Sequence, residues 1–219
     1  MRGTPINSVD VVLFTPHGYH LAVLLVPAAS AGARERWSLP WAEAGVGLDA
    51  AAERVARDAA GVSVSWIAQA GAFGDGTRHP GAAAISVAYI SVTPAGADAP
   101  PHGARWFAAG QLPLLAPRHR AIVDAALTEL RASMDRAPVA FKLLGPTFTL
   151  GDLQSMYEIL LGRRLHKASF RRALAAAFLV EPTEEWRSEG RGRPAQLFRY
   201  APKPRRGARG GVRFELLSE

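Results

Sequence analysis

Residues 149–200 read TLGDLQSMYEILLGRRLHKASFRRALAAAFLVEPTEEWRSEGRGRPAQLFRY, and the order of elements in this stretch decides the fold. Thr149 followed three residues on by Asp152 is a capping-box variant that opens a helix. Leu150, Leu153, Tyr157, Leu160 and Leu161 then recur at helical spacing. Gly162 stops that helix, and Gly162-Arg163-Arg164-Leu165 reads as a tight turn. A second helix is expected over 167–178. Phe170 and Leu174 face inward, and Lys167, Ser169, Arg171 and Arg172 face outward. Leu179 to Pro182 and Gln196 to Tyr200 read as the arms of a hairpin whose tip is Arg191-Gly192-Arg193-Pro194.

Helix, tight turn, helix and basic hairpin is the order of a winged helix-turn-helix. A helix that enters a DNA groove needs cations and donors outside and apolar residues holding it to its neighbour. The candidate DNA-contacting residues are therefore Thr149, Arg163, Arg164, Lys167, Ser169, Arg171 and Arg172, with Arg191 and Arg193 at the hairpin tip. Charge placement supports this reading. Residues 1–137 hold 11 basic and 11 acidic side chains, and residues 138–219 hold 15 basic and 8 acidic, which is the whole net charge of +7. An excess confined to one third of the chain is an electrostatic footprint. A protein-contact scaffold has no need of that concentration, and an RNA binder calls for aromatic residues interleaved with the cations.

The chain has 219 residues, 48% of them hydrophobic, and no cysteine. That excludes a disulfide framework, a thiolate metal site and a cysteine nucleophile. No apolar run is long enough to span a bilayer, and Met1 to Pro5 lack the apolar core of a signal peptide. A soluble cytoplasmic protein without a membrane partner is expected. In chain order, Val9 to Phe14 and His20 to Val26 form a hairpin around Pro16-His17-Gly18. Ala28 to Arg36 is a loop closed by Trp37-Ser38-Leu39-Pro40. A helix over 49–60 presents Ala52, Val55, Ala56 and Ala59 on one face and ends at Gly61. Strands are expected at 63–72, 83–93 and 105–107, and a helix over 118–134. Strands alternating with helices make residues 1–137 one domain. Arg136-Ala137-Pro138 marks a boundary, 138–201 forms the DNA-binding domain with a first short helix at 139–144, and 202–219 is a flexible basic tail.

Trp37-Ser38-Leu39-Pro40 followed by the 49–62 helix resembles the start of a Nudix domain. The loop at Phe73-Gly74-Asp75 with Arg78 and Pro80, the strand Ser86 to Tyr89, Arg105-Trp106-Phe107, Leu112-Pro113, His119 and Gly190 to Pro194 extend the likeness over about residues 8–201. The whole is similar to the Nudix-related transcriptional regulators of NAD metabolism, the NrtR type. The resemblance implies an α+β chain: an N-terminal Nudix-like α/β/α sandwich and a C-terminal winged helix-turn-helix. The departures carry weight. Trp41-Ala42 follows Leu39-Pro40 where the family has two glycines, and the family's three helix glutamates are here Val55, Asp58 and Ala59. Nudix hydrolysis needs several carboxylates on one helical face to hold Mg²⁺ ions. Glu43 lies in the loop, and Glu53 points away from Asp58. The expectation is a protein with no catalytic residue, no metal site and no required cofactor; the competing reading is an active hydrolase of ADP-ribose or another nucleoside diphosphate derivative.

The resemblance further implies that ADP-ribose, or a related nucleotide, is an effector that relieves repression of NAD synthesis or salvage genes. The candidate ligand residues are Arg36, Phe73, Asp75, Arg78 and His79. Arginine pairs with a diphosphate, an aromatic ring stacks on adenine, and a carboxylate accepts from ribose hydroxyls. A homodimer on a palindromic operator is expected.

Overall fold

The computed structural model describes residues 6–29, 36–94, 99–188, 194–202 and 211–212. It divides into two compact units, residues 1–130 and 131–219. The division falls inside a helix, ahead of the proline that marks a boundary in the sequence.

The first unit is built on β1 (Asn7–His17), whose residues from Ser8 to Pro16 are all buried. β1 turns at Gly18, φ +58°, into β2 (His20–Pro27). Its other neighbour, β6 (Ile85–Val92), runs parallel to it from Asn7↔Ile85 to Phe14↔Val92. A strand with neighbours on both edges and cover on both faces reads as a continuous apolar run. β5 (Trp66–Phe73) completes that side, antiparallel to β6 with a bulge between Gln69 and Gly71. β7 (Arg105–Ala108) pairs with β2. Two very short strands, β3 (Trp37–Ser38) on β2 and β4 (Trp41–Glu43) on β1, stand where a loop closure was expected.

α1 (Leu48–Ala60) lies between two left-handed glycines, Gly47 and Gly61. Its Ala51, Ala52 and Ala56 pack on Val9, Val11 and Tyr89, and Ala59 and Ala60 on Leu13 and Leu24. Small side chains let the helix lie close to the sheet. Val9, Val11 and Leu13 alternate along β1 with Asp10, which faces the opposite side. There it meets His119, in the first turn of α2 (Pro117–Ser133). Helices thus cover both faces of one mixed sheet.

The second unit contains α3 (Val139–Lys142), α4 (Leu150–Leu161), α5 (Lys167–Ala177), β8 (Val180–Arg187) and β9 (Ala195–Tyr200). The capping box of α4 is present: Asp152 N donates to Thr149 Oγ1 at 3.0 Å, and Thr149 N to Asp152 Oδ2 at 2.8 Å. Gly162 ends α4 at φ +69°. Leu153, Tyr157 and Leu160 of α4 and Phe170, Ala173 and Leu174 of α5 are buried, with the Tyr157 and Phe170 rings 5.5 Å apart. The wing, β8 and β9, is stitched to the chain before α4 by a two-bond bridge between Phe148 and Phe198. The expected free tail needs correction at two residues. Val212 is fully buried and its N–H donates to Tyr157 Oη at 3.1 Å. A Cβ on its neighbour Gly211 would overlap the Met134 carbonyl. Apolar burial and a satisfied buried hydroxyl hold this point of the tail against the core. Lys203, Arg205, Arg206, Arg209 and Arg213 lie outside the described residues. No helix among the described residues is long and apolar enough to cross a membrane.

Candidate nucleic-acid interface and ligand loop

The outer face of α5 carries Lys167, Arg171 and Arg172, all exposed, and its inner face carries Phe170, Ala173 and Leu174. Between Glu158 and Glu181 the sequence has no acidic residue, so no carboxylate along α5 offsets these cations. The turn before the helix is fixed by Glu158. Its Oε1 accepts from Leu165 N and Gln154 Nε2, each at 3.0 Å, and its Oε2 from Arg164 Nη1 at 2.9 Å. Burial raises the Glu158 pKa, and these bonds outweigh it and hold the carboxyl below its ordinary value. Arg163 and Arg164 are exposed on that turn, Arg164 within its pair.

Two expected contacts are corrected. Ser169 is 7% exposed and its Oγ meets His166 Nδ1 at 3.4 Å, because it lies one helical turn before buried Ala173. Thr149 is 8% exposed, and its hydroxyl is committed to the helix cap. Arg191 and Arg193 lie outside the described residues.

In the first unit, the connection from β5 to β6 carries Asp75 and Arg78 on its exposed side. Asp75 Oδ1 accepts from Thr77 N at 3.0 Å and Thr77 Oγ1 at 2.6 Å, and these bonds hold its carboxyl below the ordinary value. Phe73, at the end of β5, is half-buried. Arg36 stands on a different connection, between β2 and β3, where its carbonyl accepts from Ala28 N. His79 is corrected: it is 3% exposed and turned into the protein.

What His79 joins was invisible in the sequence. His79 Nε2 and His119 Nε2 both lie 2.9 Å from Asp10 Oδ1, and Ser8 Oγ donates to Asp10 Oδ2 at 2.6 Å. Among the described residues, these three are the group with the composition of a metal site. Their hydrogen bonds do not fit a cation. His119 Nδ1 accepts from Leu39 N at 3.0 Å, and His79 Nδ1 from Gly81 N at 3.0 Å. Each ring must then carry its proton on Nε2 and donate to Asp10. A metal-bound imidazole does the reverse, offering one nitrogen to the ion and donating the other. The cluster is a buried knot of one carboxylate and two neutral imidazoles. Burial lowers the His119 pKa more than Asp10 raises it. Burial raises the Asp10 pKa, and the bonds from His119 and His79 pull it far below the usual carboxylate range.

Arg118, also unforeseen, is 2% exposed and donates to Ala83 O at 2.7 Å and Ala84 O at 3.1 Å. The first turn of α2 therefore secures the inner side of the β5–β6 connection. Trp41, standing where Nudix proteins have glycine, sets its ring 4.8 Å from that of His79 and over Gly81, where a Cβ would overlap it. Of the three positions where the family has glutamates, Val55 packs against the core, Ala59 is buried and Asp58 is exposed.

A mixed sheet sandwiched by helices, followed by a winged helix, defines a class: a Nudix-like domain joined to a DNA-binding module. Residues 140–200 match the family model of the NrtR DNA-binding winged helix domain. The chain is 29% identical over 208 residues to the ADPR responsive transcriptional repressor NtrR of Acinetobacter baylyi, covering 90% of this chain and 83% of that protein. The structure of Shewanella oneidensis NrtR aligns with a TM-score of 0.74 at 27% identity, over 90% of this chain and 94% of that one. The same protein complexed with a 27mer DNA aligns at 0.73 and 28%, over 89% and 93%. Over most of its length the chain is thus similar to NrtR-type regulators, in its winged helix and in its overall fold.

Proposed function

We propose that the chain is a transcriptional repressor that binds operator DNA through α5 and the wing and responds to ADP-ribose through its Nudix-like domain. The observation that carries the DNA half is the uninterrupted cationic face of α5, held on a capped α4 by a packed inner face. Resemblance to a repressor described as responsive to ADP-ribose supports the effector half. Asp75 and Arg78 on the exposed side of the β5–β6 loop are the ligand residues the geometry favours. They bring a ribose acceptor and a diphosphate partner to one connection. Genes of NAD synthesis or salvage are the proposed targets, a homodimer on a palindromic site the proposed assembly, and the cytoplasm the proposed location.

The domain acts as a sensor and not as a hydrolase. Two of the three family glutamate positions are apolar and lie in or against the core, so Asp58 alone does not make a Mg²⁺ site. Binding of Arg172→Ala to the intergenic DNA upstream of the chain's own gene, measured over a series of salt concentrations, tests the interface. Weaker binding with an unchanged melting point supports it. Affinity equal to wild type for both Arg172→Ala and Lys167→Ala removes α5 from the interface.

A further inference from the structure

A two-stranded ribbon is marginal by itself and twists readily. The wing has a further weakness, because its register breaks between Pro182 and Trp186. Its inner end is secured by the Phe148–Phe198 bridge and by Ala201 N donating to Leu179 O at 2.9 Å. Beyond the break the ladder resumes only at Trp186↔Gln196 and Arg187↔Ala195. At that point Arg187 Nη2 spans both carboxylate oxygens of Asp152, at 2.8 and 2.7 Å. Asp152 is itself fixed, since its Oδ2 also accepts from Thr149 N in the α4 cap.

We propose that Arg187 is a positioning residue of the DNA interface: through Asp152 it holds the outer end of the wing in place against the first turn of α4. The proposal rests on the reading of this unit as a DNA-binding winged helix. One carboxylate serves two ends, capping α4 and receiving the wing. Burial raises the Asp152 pKa, and Arg187 and Thr149 outweigh it, so Asp152 is an anion at neutral pH. The two side chains are 31% and 38% exposed, so the pair is worth less than a buried one and acts by geometry more than by energy. Charge counting alone gives the opposite assignment, with Arg187 as one more phosphate ligand and Asp152 as a repulsive charge. The two assignments differ in sign. Removing the Asp152 charge tightens DNA binding if Arg187 serves the phosphates, and weakens it if Arg187 serves the wing.

The test is fluorescence anisotropy of the full chain on its upstream intergenic DNA at several salt concentrations. It compares wild type, Asp152→Asn, Arg187→Gln, Arg187→Lys and the Asp152→Asn, Arg187→Gln pair. Asparagine keeps an acceptor for Thr149 N, so the α4 cap survives. Expected are affinities roughly fivefold weaker for Asp152→Asn and Arg187→Gln. The double variant is no weaker than either single one, as for partners in one interaction. Lysine rescues, and the salt dependence matches wild type. Tighter binding by Asp152→Asn overturns the proposal. So does a loss of about 0.9 in the logarithmic salt slope for Arg187→Gln, the contribution of one phosphate contact. If Arg187→Gln melts, Asp152→Asn and Arg187→Lys still decide the sign and the rescue. A wild-type chain that binds its own DNA no better than unrelated DNA overturns the winged-helix reading underneath, a result distinct from the other two.

Discussion

Replacing Asp10 by leucine strands two buried donors. His79 Nε2 and His119 Nε2 both point at Asp10 Oδ1, and the opposite nitrogen of each ring is committed to a backbone N–H. Neither ring has another acceptor to turn to without breaking that bond. Ser8 loses least, because its hydroxyl also lies 2.9 Å from Ser86 Oγ. An orphaned buried donor costs about 1–3 kcal/mol, so two cost about 4 kcal/mol. At about 2.1 cal/mol/K per residue, the unit of residues 1–130 unfolds with an entropy of about 0.27 kcal/mol/K. The midpoint of that unit then falls by about 15 °C, readable by differential scanning calorimetry. Asp10→Asn keeps an acceptor for both rings and falls by less. EDTA leaves the wild-type midpoint unchanged. A shift below about 3 °C, or under about 1 kcal/mol, refutes the knot. A wild-type midpoint that EDTA lowers, in a way Asp10→Leu abolishes, refutes the tautomer assignment and restores a metal site.

Stability of the first unit falls as pH drops below 6.5, the ordinary His119 value. The folded state holds His119 neutral and binds fewer protons than the unfolded chain, so unfolding takes up protons and acid favours it. Asp10, whose folded value is depressed, adds a second loss below 3.8. Melting curves from pH 8 to pH 5 that are flat or that rise toward acid contradict this. Gly211→Ala drives a Cβ into the Met134 carbonyl and dislodges Val212 from Tyr157. It lowers the stability of the second unit by about 2 kcal/mol in a denaturant titration, and a silent substitution shows that the anchor carries no load. Incubation with ADP-ribose and Mg²⁺ or Mn²⁺ yields no AMP by chromatography. Turnover that disappears in Asp58→Ala establishes the hydrolase reading instead.

The parts legible in the sequence are those whose partners lie within one helical turn. Thr149 and Asp152 read as a capping box because the motif spans three residues, and Phe170 with Leu174 reads as an inner face by its spacing. Ser169 reads as outward by its polarity, whereas its spacing to buried Ala173 puts it on the inner flank. The knot was illegible for the opposite reason. Its members lie 69 and 109 residues from Asp10, and a lone aspartate inside an apolar strand announces no partner. His79 read as a ligand residue because the loop around it is polar, and only the fold reveals the buried carboxylate beneath. β3 and β4, at two and three residues, are too short for alternation to show. Val212 follows a basic, glycine-rich run, and its hydrogen-bond partner Tyr157 lies 55 residues earlier.

The most direct test of the account is anisotropy of the wild-type chain on its upstream intergenic DNA, at about 150 mM salt, with and without ADP-ribose. A repressor that senses ADP-ribose binds this DNA tightly, binds unrelated DNA less well, and binds more weakly when ADP-ribose is present. Equal binding to unrelated DNA contradicts the regulator, and specific binding that ADP-ribose leaves unchanged contradicts the sensor.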